Sequence, residues 1–174
     1  MKDVMIDLET FGTRANACVV QIGACYFDRV TGEIGKTFKV NVDAGSPGQG
    51  QIDSGTVYWW LERTDGARRS IGEAGGKPIP IFEAMDKLNL FLSGSSCIWS
   101  HATFDFVIVS EALKRLKIFP KFKYSSARDI RTLTDLAGVS LNDFAREGTH
   151  HDGLDDAKFQ VKYCVAAMKK LRNA

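Results

Sequence analysis

Asp7 and Glu9 stand two apart in the run Val4-Met5-Ile6-Asp7-Leu8-Glu9-Thr10. Val4, Met5, Ile6 and Leu8 are apolar, which predicts a strand buried in the core. Residues two apart in a strand project to the same side, so the two carboxylates point together out of a buried element. Such a pair repels itself and loses hydration, and it stays ionised only if a cation neutralises it. A hard divalent metal with oxygen ligands, Mg²⁺ or Mn²⁺, is the economical neutraliser. Most Asp-x-Glu pairs are merely solvated, so this one acquires weight only from acids elsewhere in the chain.

Two further clusters supply such acids. Asp105 ends the segment Ser100-His101-Ala102-Thr103-Phe104-Asp105, at the start of a predicted helix directly after a short buried strand. Open α/β sheets place their ligands at such junctions. Taken alone, Asp105 reads as a first-turn acid favoured by the helix dipole. The third cluster, His150-His151-Asp152-Gly153-Leu154-Asp155-Asp156-Ala157, crowds three aspartates at the start of the last predicted helix. Part of that is ordinary N-terminal capping. A histidine beside several acids can also carry a proton near neutral pH.

The elements that must position these residues follow from periodicity and turn residues. After a loop over 11–17, strands are predicted over 18–27 and 37–42, joined by a hairpin around Gly32. The opening is an antiparallel meander of three strands. Residues 44–51 are rich in glycine and predict a mobile loop. Asp53 or Ser54 caps a helix over 56–63, which Thr64-Asp65-Gly66 ends, and 67–71 form another short turn of helix. A glycine- and proline-rich linker fills 72–80. Beyond it the pattern predicts a helix over 81–92, a buried strand over 97–99 and a helix over 104–116. A short strand or turn and then a helix follow over 127–137, and residues 142–149 are polar and irregular. The final helix, 153–171, carries Leu154, Ala157, Val161, Cys164, Val165, Met168 and Leu171 on one stripe. Three antiparallel strands followed by alternating helices and strands predict one α/β domain over 1–174, with a mixed sheet and helices on both faces.

Composition sets the class. Hydrophobic residues make up 44% and charged residues 25%, an ordinary globular balance. No apolar run approaches the length of a membrane span, and the N-terminus lacks the pattern of a signal peptide. The four cysteines form no C-x-x-C pair. They are expected to be reduced core residues of a cytoplasmic protein, without structural zinc. A net charge of +2 does not announce a nucleic-acid binder. The distribution says more: Lys114, Arg115, Lys117, Lys121, Lys123, Arg128 and Arg131 occur with only Asp129 against them, and Arg63, Arg68 and Arg69 form a second group. Positive flanks around an acidic centre would steer a polyanion towards it.

Read in order, Asp7-x-Glu9, Asp105 and His151-x-x-x-x-Asp156 resemble the three motifs of the DEDDh (DnaQ-like) branch of the 3′-to-5′ exonucleases, the group of proofreading subunits and RNase T. Asp7-Leu8-Glu9-Thr10 resembles the first motif and the segment from His151 to Ala157 the third. The segment from Ser100 to Asp105 resembles the second, where the family often has Asn near the place of His101 or Ala102. Thr56-Val57-Tyr58-Trp59-Trp60-Leu61 resembles the tandem-Trp segment of one subgroup, the phage DexA-like and mycobacterial Rv2179c-like exonucleases. Arg131-Thr132-Leu133 and Leu136-Ala137-Gly138 extend that resemblance, so it runs along nearly the whole chain.

The resemblance implies an RNase H-like fold, a five-stranded mixed sheet with its first three strands antiparallel and helices on both faces. It implies that Asp7, Glu9, Asp105 and Asp156 hold two Mg²⁺ or Mn²⁺ ions. It makes His151, four residues clear of the last Asp, the base that takes a proton from the attacking water, in preference to His150. Asp129, Asp152 and Asp155 are then expected to be caps or outer groups. The implied reaction releases nucleoside 5′-monophosphates from the 3′ ends of single-stranded or overhanging DNA or RNA. Thr10, Phe11, His101, Phe104 and Trp60 are the expected substrate contacts. Trp59 and Trp60 lie about 100° apart on a helix, so one should face the core and the other a cleft or interface. Trp99 is expected in the core. Relatives often form homodimers, and exposed aromatics would permit one here. Two rivals are a binding module that keeps the fold without the chemistry, and a two-metal phosphoesterase acting on small nucleotides. Retention of all four acids and the histidine counts against the first.

Overall fold

The computed structural model describes residues 1–173. Its sheet is built around β1 (Asp3–Thr10), all eight residues of which are buried. β1 pairs antiparallel with β2 (Val19–Phe27), and β2 with β3 (Ile34–Asn41). On its other side β1 pairs in parallel with β4 (Cys97–Ser100), and β4 with β5 (Ala127–Asp129). The order is β3-β2-β1-β4-β5, the expected mixed sheet of five. β3 begins three residues before the sequence suggested. The hairpin is tight: the Asp28 carboxylate accepts from the Val30 and Thr31 N–H groups, both at 2.8 Å, and Gly32 takes φ +79°.

Alternation along β1 sorts its side chains between two helical layers. Val4, Ile6 and Leu8 pack with α3 (Ile81–Phe91) and α4 (Asp105–Arg115) through Met85, Leu88, Ile108 and Leu113. Met5 faces the other way, with Ile130 of α5 (Ile130–Ala137) and Ala157, Val161 and Cys164 of α6 (Gly153–Arg172). Asp7 and Glu9 share the parity of Met5, so they project on the α6 side. Trp99 belongs to the same layer, and its indole N–H donates to Asp3 Oδ1 at 2.9 Å.

Between β3 and α3 lie α1 (Ser54–Leu61) and α2 (Asp65–Ile71). Asp53 caps α1, accepting from the Thr56 N–H. Thr64-Asp65-Gly66, expected to end a helix, instead begins α2. The Thr64 hydroxyl accepts from the Ala67 N–H, and Asp65 sits in the first turn. The loop over 44–51, expected to be mobile, is fastened. The Gln49 amide donates to the Val19 carbonyl at 2.6 Å, and Gln51 exchanges backbone hydrogen bonds with Asn16 and Cys18. Sequence pattern misses such anchors because they join residues distant in the chain.

The start of α6 lies directly on β2. Gly23 and Gly153 meet backbone to backbone, and a Cβ on Gly23 would overlap the Gly153 carbonyl. Gln21, fully buried, ties the junction together. Its Oε1 accepts from the Gly153 N–H at 2.6 Å, and its Nε2 donates to Asn41 Oδ1 at 2.8 Å and to the Ser70 carbonyl at 2.7 Å. Asp152 caps α6 by accepting from the Asp155 N–H, and it pairs with Lys39 of β3.

Candidate active site

Three segments far apart in the chain bring four acids to one end of the sheet. Asp7 and Glu9 lie in the second half of β1, Asp105 opens α4, and Asp156 sits in the first turn of α6. Each is at most 8% exposed. Carboxylate oxygens of Asp7, Glu9 and Asp156 all fall within 4.8 Å of one another. Asp7, His101 and Asp105 form a second such group, and His150, His151 and Asp156 a third. Asp7 is common to the first two.

Local backbone chemistry fixes these carboxylates. β4 stops at Ser100, so β1 runs on past its parallel neighbour. Asp105 takes over the vacated ladder: its Oδ1 accepts from the Leu8 N–H and its Oδ2 from the His101 N–H, both at 3.0 Å. Asp7 Oδ1 accepts from Gln160 Nε2 at 2.6 Å. Asp156 accepts from the His151 N–H at 3.1 Å through Oδ2, and through Oδ1 it pairs with Arg146. The Arg146 guanidinium also lies 4.3 Å from the centre of the Phe159 ring.

The acids hold protons more tightly than ordinary carboxylates. Burial raises Asp7 well above the usual range, and the charges of Asp105, Glu9 and Asp156 add to it. Burial likewise raises Glu9, with Asp156, Asp105 and Asp152 reinforcing the shift. Asp105 is pushed up to about 7 by burial, against the backbone hydrogen bonds it accepts. Burial raises Asp156 too, partly offset by Arg146. A divalent cation fits this donor set. Oxygens about 2.0–2.6 Å from one ion lie within about 5 Å of each other, as these groups do, and hard carboxylate oxygens suit Mg²⁺ or Mn²⁺.

His151 adopts φ +63°, a left-handed conformation uncommon outside glycine. The bond to Asp156 and the Ser70 hydroxyl, which donates to the His151 carbonyl at 2.9 Å, hold it there. Its ring meets Trp59 edge-on at 4.9 Å and Trp60 at 5.8 Å, and stacks with His150 at 3.8 Å. Burial lowers its pKa to about 4, with the charges of His150, Arg63 and Arg146 adding to the effect. The imidazole is therefore neutral at pH 7.

Beside Glu9 opens a cavity of about 470 Å³ whose lining includes Thr10, Gly12, Thr13, Trp59, Trp60 and Phe104. Trp60 is 3% exposed, its indole N–H donating to the Thr10 carbonyl at 2.9 Å, whereas Trp59 is 38% exposed beneath Arg63. Phe11 is not in this lining; its backbone N–H donates to Cys18 and its carbonyl accepts from Asp53. His101 stands at the acid cluster, 3.9 Å from Asp105, its pKa lowered to about 4 chiefly by burial. Asp129 caps α5 through the Thr132 N–H at 2.7 Å and also accepts from the Ala102 N–H.

Gln160, Arg146, Gln21 and Ser70 carry no signal in the sequence. Gln160 lies one residue from Val161 of the apolar stripe, where a lone amide forms no pattern. Arg146 is in the irregular segment, where periodicity is silent.

A family model described as "3′-5′ exoribonuclease Rv2179c-like domain" matches residues 2–168. No curated protein matches the chain. Among solved structures, the zinc-bound form of the E. coli ExoI–ssDNA complex superposes with a TM-score of 0.64 at 16% identity, over 98% of this chain and 40% of that one. E. coli Exonuclease I in complex with a dA16 oligonucleotide gives a TM-score of 0.71 at 14% identity, over 98% and 41%. At such identities the likeness concerns the fold, the RNase H-like mixed sheet. The chain spans about two fifths of the length of the Exonuclease I chains it matches.

Proposed function

Since the chain belongs to the Rv2179c-like 3′-5′ exoribonuclease domain family, we propose that residues 1–174 form one 3′-to-5′ exonuclease domain. It hydrolyses single-stranded or 3′-overhanging nucleic acid and releases nucleoside 5′-monophosphates. The observation that carries this reading is Asp7, shared by two groups of closely spaced ligand atoms, Asp7–Glu9–Asp156 and Asp7–His101–Asp105. A shared carboxylate between two groups supports a pair of cations, Mg²⁺ or Mn²⁺, held by Asp7, Glu9, Asp105 and Asp156. Such a pair supplies charge stabilisation for the attacking and leaving oxygens of an in-line displacement.

The chain's own residues do the rest. Gln160 orients Asp7 through its 2.6 Å hydrogen bond. The Leu8 and His101 N–H groups orient Asp105. His151, neutral at pH 7, accepts the proton of the attacking water, and its ring is held by Trp59 and Trp60. The 470 Å³ cavity beside Glu9 receives the terminal nucleotide, with Thr10, Phe104 and the two tryptophans as its walls. Its size and mostly apolar lining suit a nucleoside. His101 borders the phosphate side of the acid cluster, and Phe11 acts through the loop it fastens.

The family's description favours RNA, whereas the Exonuclease I structures hold DNA. Free, buried thiols at all four cysteines support a reducing compartment such as the cytoplasm, and no helix among the described residues is long and apolar enough to cross a membrane. The homodimer implied by the resemblance would form over exposed apolar side chains such as Leu61 and Leu136, and the mass in solution tests it.

The deciding experiment compares 3′- and 5′-end-labelled RNA and DNA oligomers with Mn²⁺. Labelled mononucleotide should appear at once from the 3′ label and only last from the 5′ label, faster on RNA, and EDTA or Asp7→Ala should abolish it. Early release of the 5′ label, or full activity of Asp7→Ala, would overturn the reading.

A further inference from the structure

We propose a second binding surface on this molecule, at the end of the sheet opposite the acids, which holds single-stranded nucleic acid through the segment 117–128. It rests on the exonuclease reading only for its purpose, which is to retain the strand behind the 3′ end being cut. The observations that carry it are independent of the acid cluster.

The first is exposure. Phe119 and Tyr124 are 90% and 87% exposed, the two largest exposures among the large apolar side chains of the described residues. An aromatic ring left in water gains nothing for the fold, so two of them in one twelve-residue segment point to a partner. The second is charge. Lys117, Lys121, Lys123 and Arg128 are exposed between and around these rings. Among the described residues no carboxylate lies within salt-bridge distance of any of them. The third is shape. A hollow of about 630 Å³ is lined by Lys121, Lys123, Arg128, Ser95, Ser96 and Ser125 together with Gly94, Pro120 and Phe122, and by no acid.

The surface is built rather than slack. Buried Asn89 of α3 grips the segment on both sides of Pro120: its Nδ2 donates to the Phe119 carbonyl at 2.9 Å, and its Oδ1 accepts from the Lys121 N–H at 2.7 Å. Phe122 turns inward and packs on Phe106 at 5.8 Å. The alternation therefore packs Phe122, half-buried, against the core while Lys121 and Lys123 stay outside.

Exposed cations and exposed rings in one segment, with hydroxyl donors among them, match a single strand: phosphates on the lysines and arginine, bases on the rings. Ser95 and Ser96 immediately precede β4, and Ser125 and Ser126 immediately precede β5, so the hollow lies at the starts of these parallel strands. Asp105 follows the end of β4. A strand with its 3′ end at the acids must run at least the length of β4 to reach the hollow, so a longer strand gains more from it than a dinucleotide with its single phosphate.

The test measures binding of the full chain, in EDTA to stop turnover, to a labelled single strand of roughly 20 nucleotides from about 50 to about 200 mM salt. Phe119→Ala with Tyr124→Ala should weaken binding about tenfold or more. Lys121→Ala with Lys123→Ala and Arg128→Ala should lower the slope of log affinity against log salt by about 2, at roughly 0.7 for each phosphate no longer neutralised. Both variants should hydrolyse the shortest oligomer that the wild type hydrolyses at the wild-type rate, and should keep its melting temperature. Unchanged affinity and slope would overturn the proposal. So would an equal loss on short and long strands, wild-type binding to phosphatidylglycerol vesicles but not to the oligonucleotide, or a dimer that the substitutions dissociate. If the wild type releases no mononucleotide from any substrate, the exonuclease reading fails, while the binding measurement still judges this surface.

Discussion

The proposed mechanism asks His151 to take a proton. A base must be unprotonated at working pH, and burial beside Arg63 and Arg146 keeps this imidazole neutral. Its backbone N–H hydrogen-bonds Asp156, while its ring only lies near that carboxylate. His151→Ala should therefore leave Mn²⁺ affinity within a few fold, while hydrolysis slows by roughly 10²–10⁴. Calorimetric titration with Mn²⁺ and single-turnover rates separate the two, and wild-type rates in the variant would reject the role. The histidine stood out in the sequence because its offset from Asp156 resembles a motif. The residues that hold the acids in place did not. Gln160 bonds to Asp7 across 153 positions of sequence, and Arg146 reaches Asp156 from a segment without periodicity. A hydrogen-bond partner brought in by tertiary packing leaves no spacing to read.

At the scale of elements, the docking of α6 on β2 brings Asp156 to Asp7. Two glycines permit it, because any side chain at Gly23 would occupy the space of the Gly153 carbonyl. Gly23→Ala should push the start of α6 outward and cost about 1–3 kcal/mol of stability. It should lower hydrolysis more than a surface Ala substitution does, because Asp156 moves with the helix. Urea unfolding together with turnover checks this, and a variant matching the wild type in both would show that α6 is not positioned by that contact. The existence of α6 and its apolar stripe were evident from the 3.6-residue period. A short turn of helix over 67–71 was also expected, but not where α2 starts: Thr64-Asp65-Gly66 reads equally as a stop or a start, and only the Ala67 N–H on the Thr64 hydroxyl decides it.

The whole molecule carries a cluster of buried like charges, and that sets its response to pH and cations. Unfolded, these carboxyls release protons near pH 4. Folded, they release them higher, Asp105 at about 7. The folded state thus binds more protons between these values, so this cluster favours the fold below about pH 4 and turns against it as pH rises towards 7. A divalent cation bound among these acids would relieve that repulsion. Mn²⁺ should therefore raise the melting temperature more at pH 7.5 than at pH 5, and EDTA should reverse the gain; an equal shift at both values, or none, would reject the cation site. The sequence by itself determined the class of chemistry and the frame. Alternation in the first strand put Asp7 and Glu9 on one face, and helical periods set the elements that follow, because these depend only on neighbours along the chain. Tertiary structure alone decided which groups hold the acids, where Trp59 and Trp60 lie relative to the cavity, and that Phe119 and Tyr124 stand out in water. Those outcomes depend on surfaces that become neighbours only once the sheet has formed and its helices have packed.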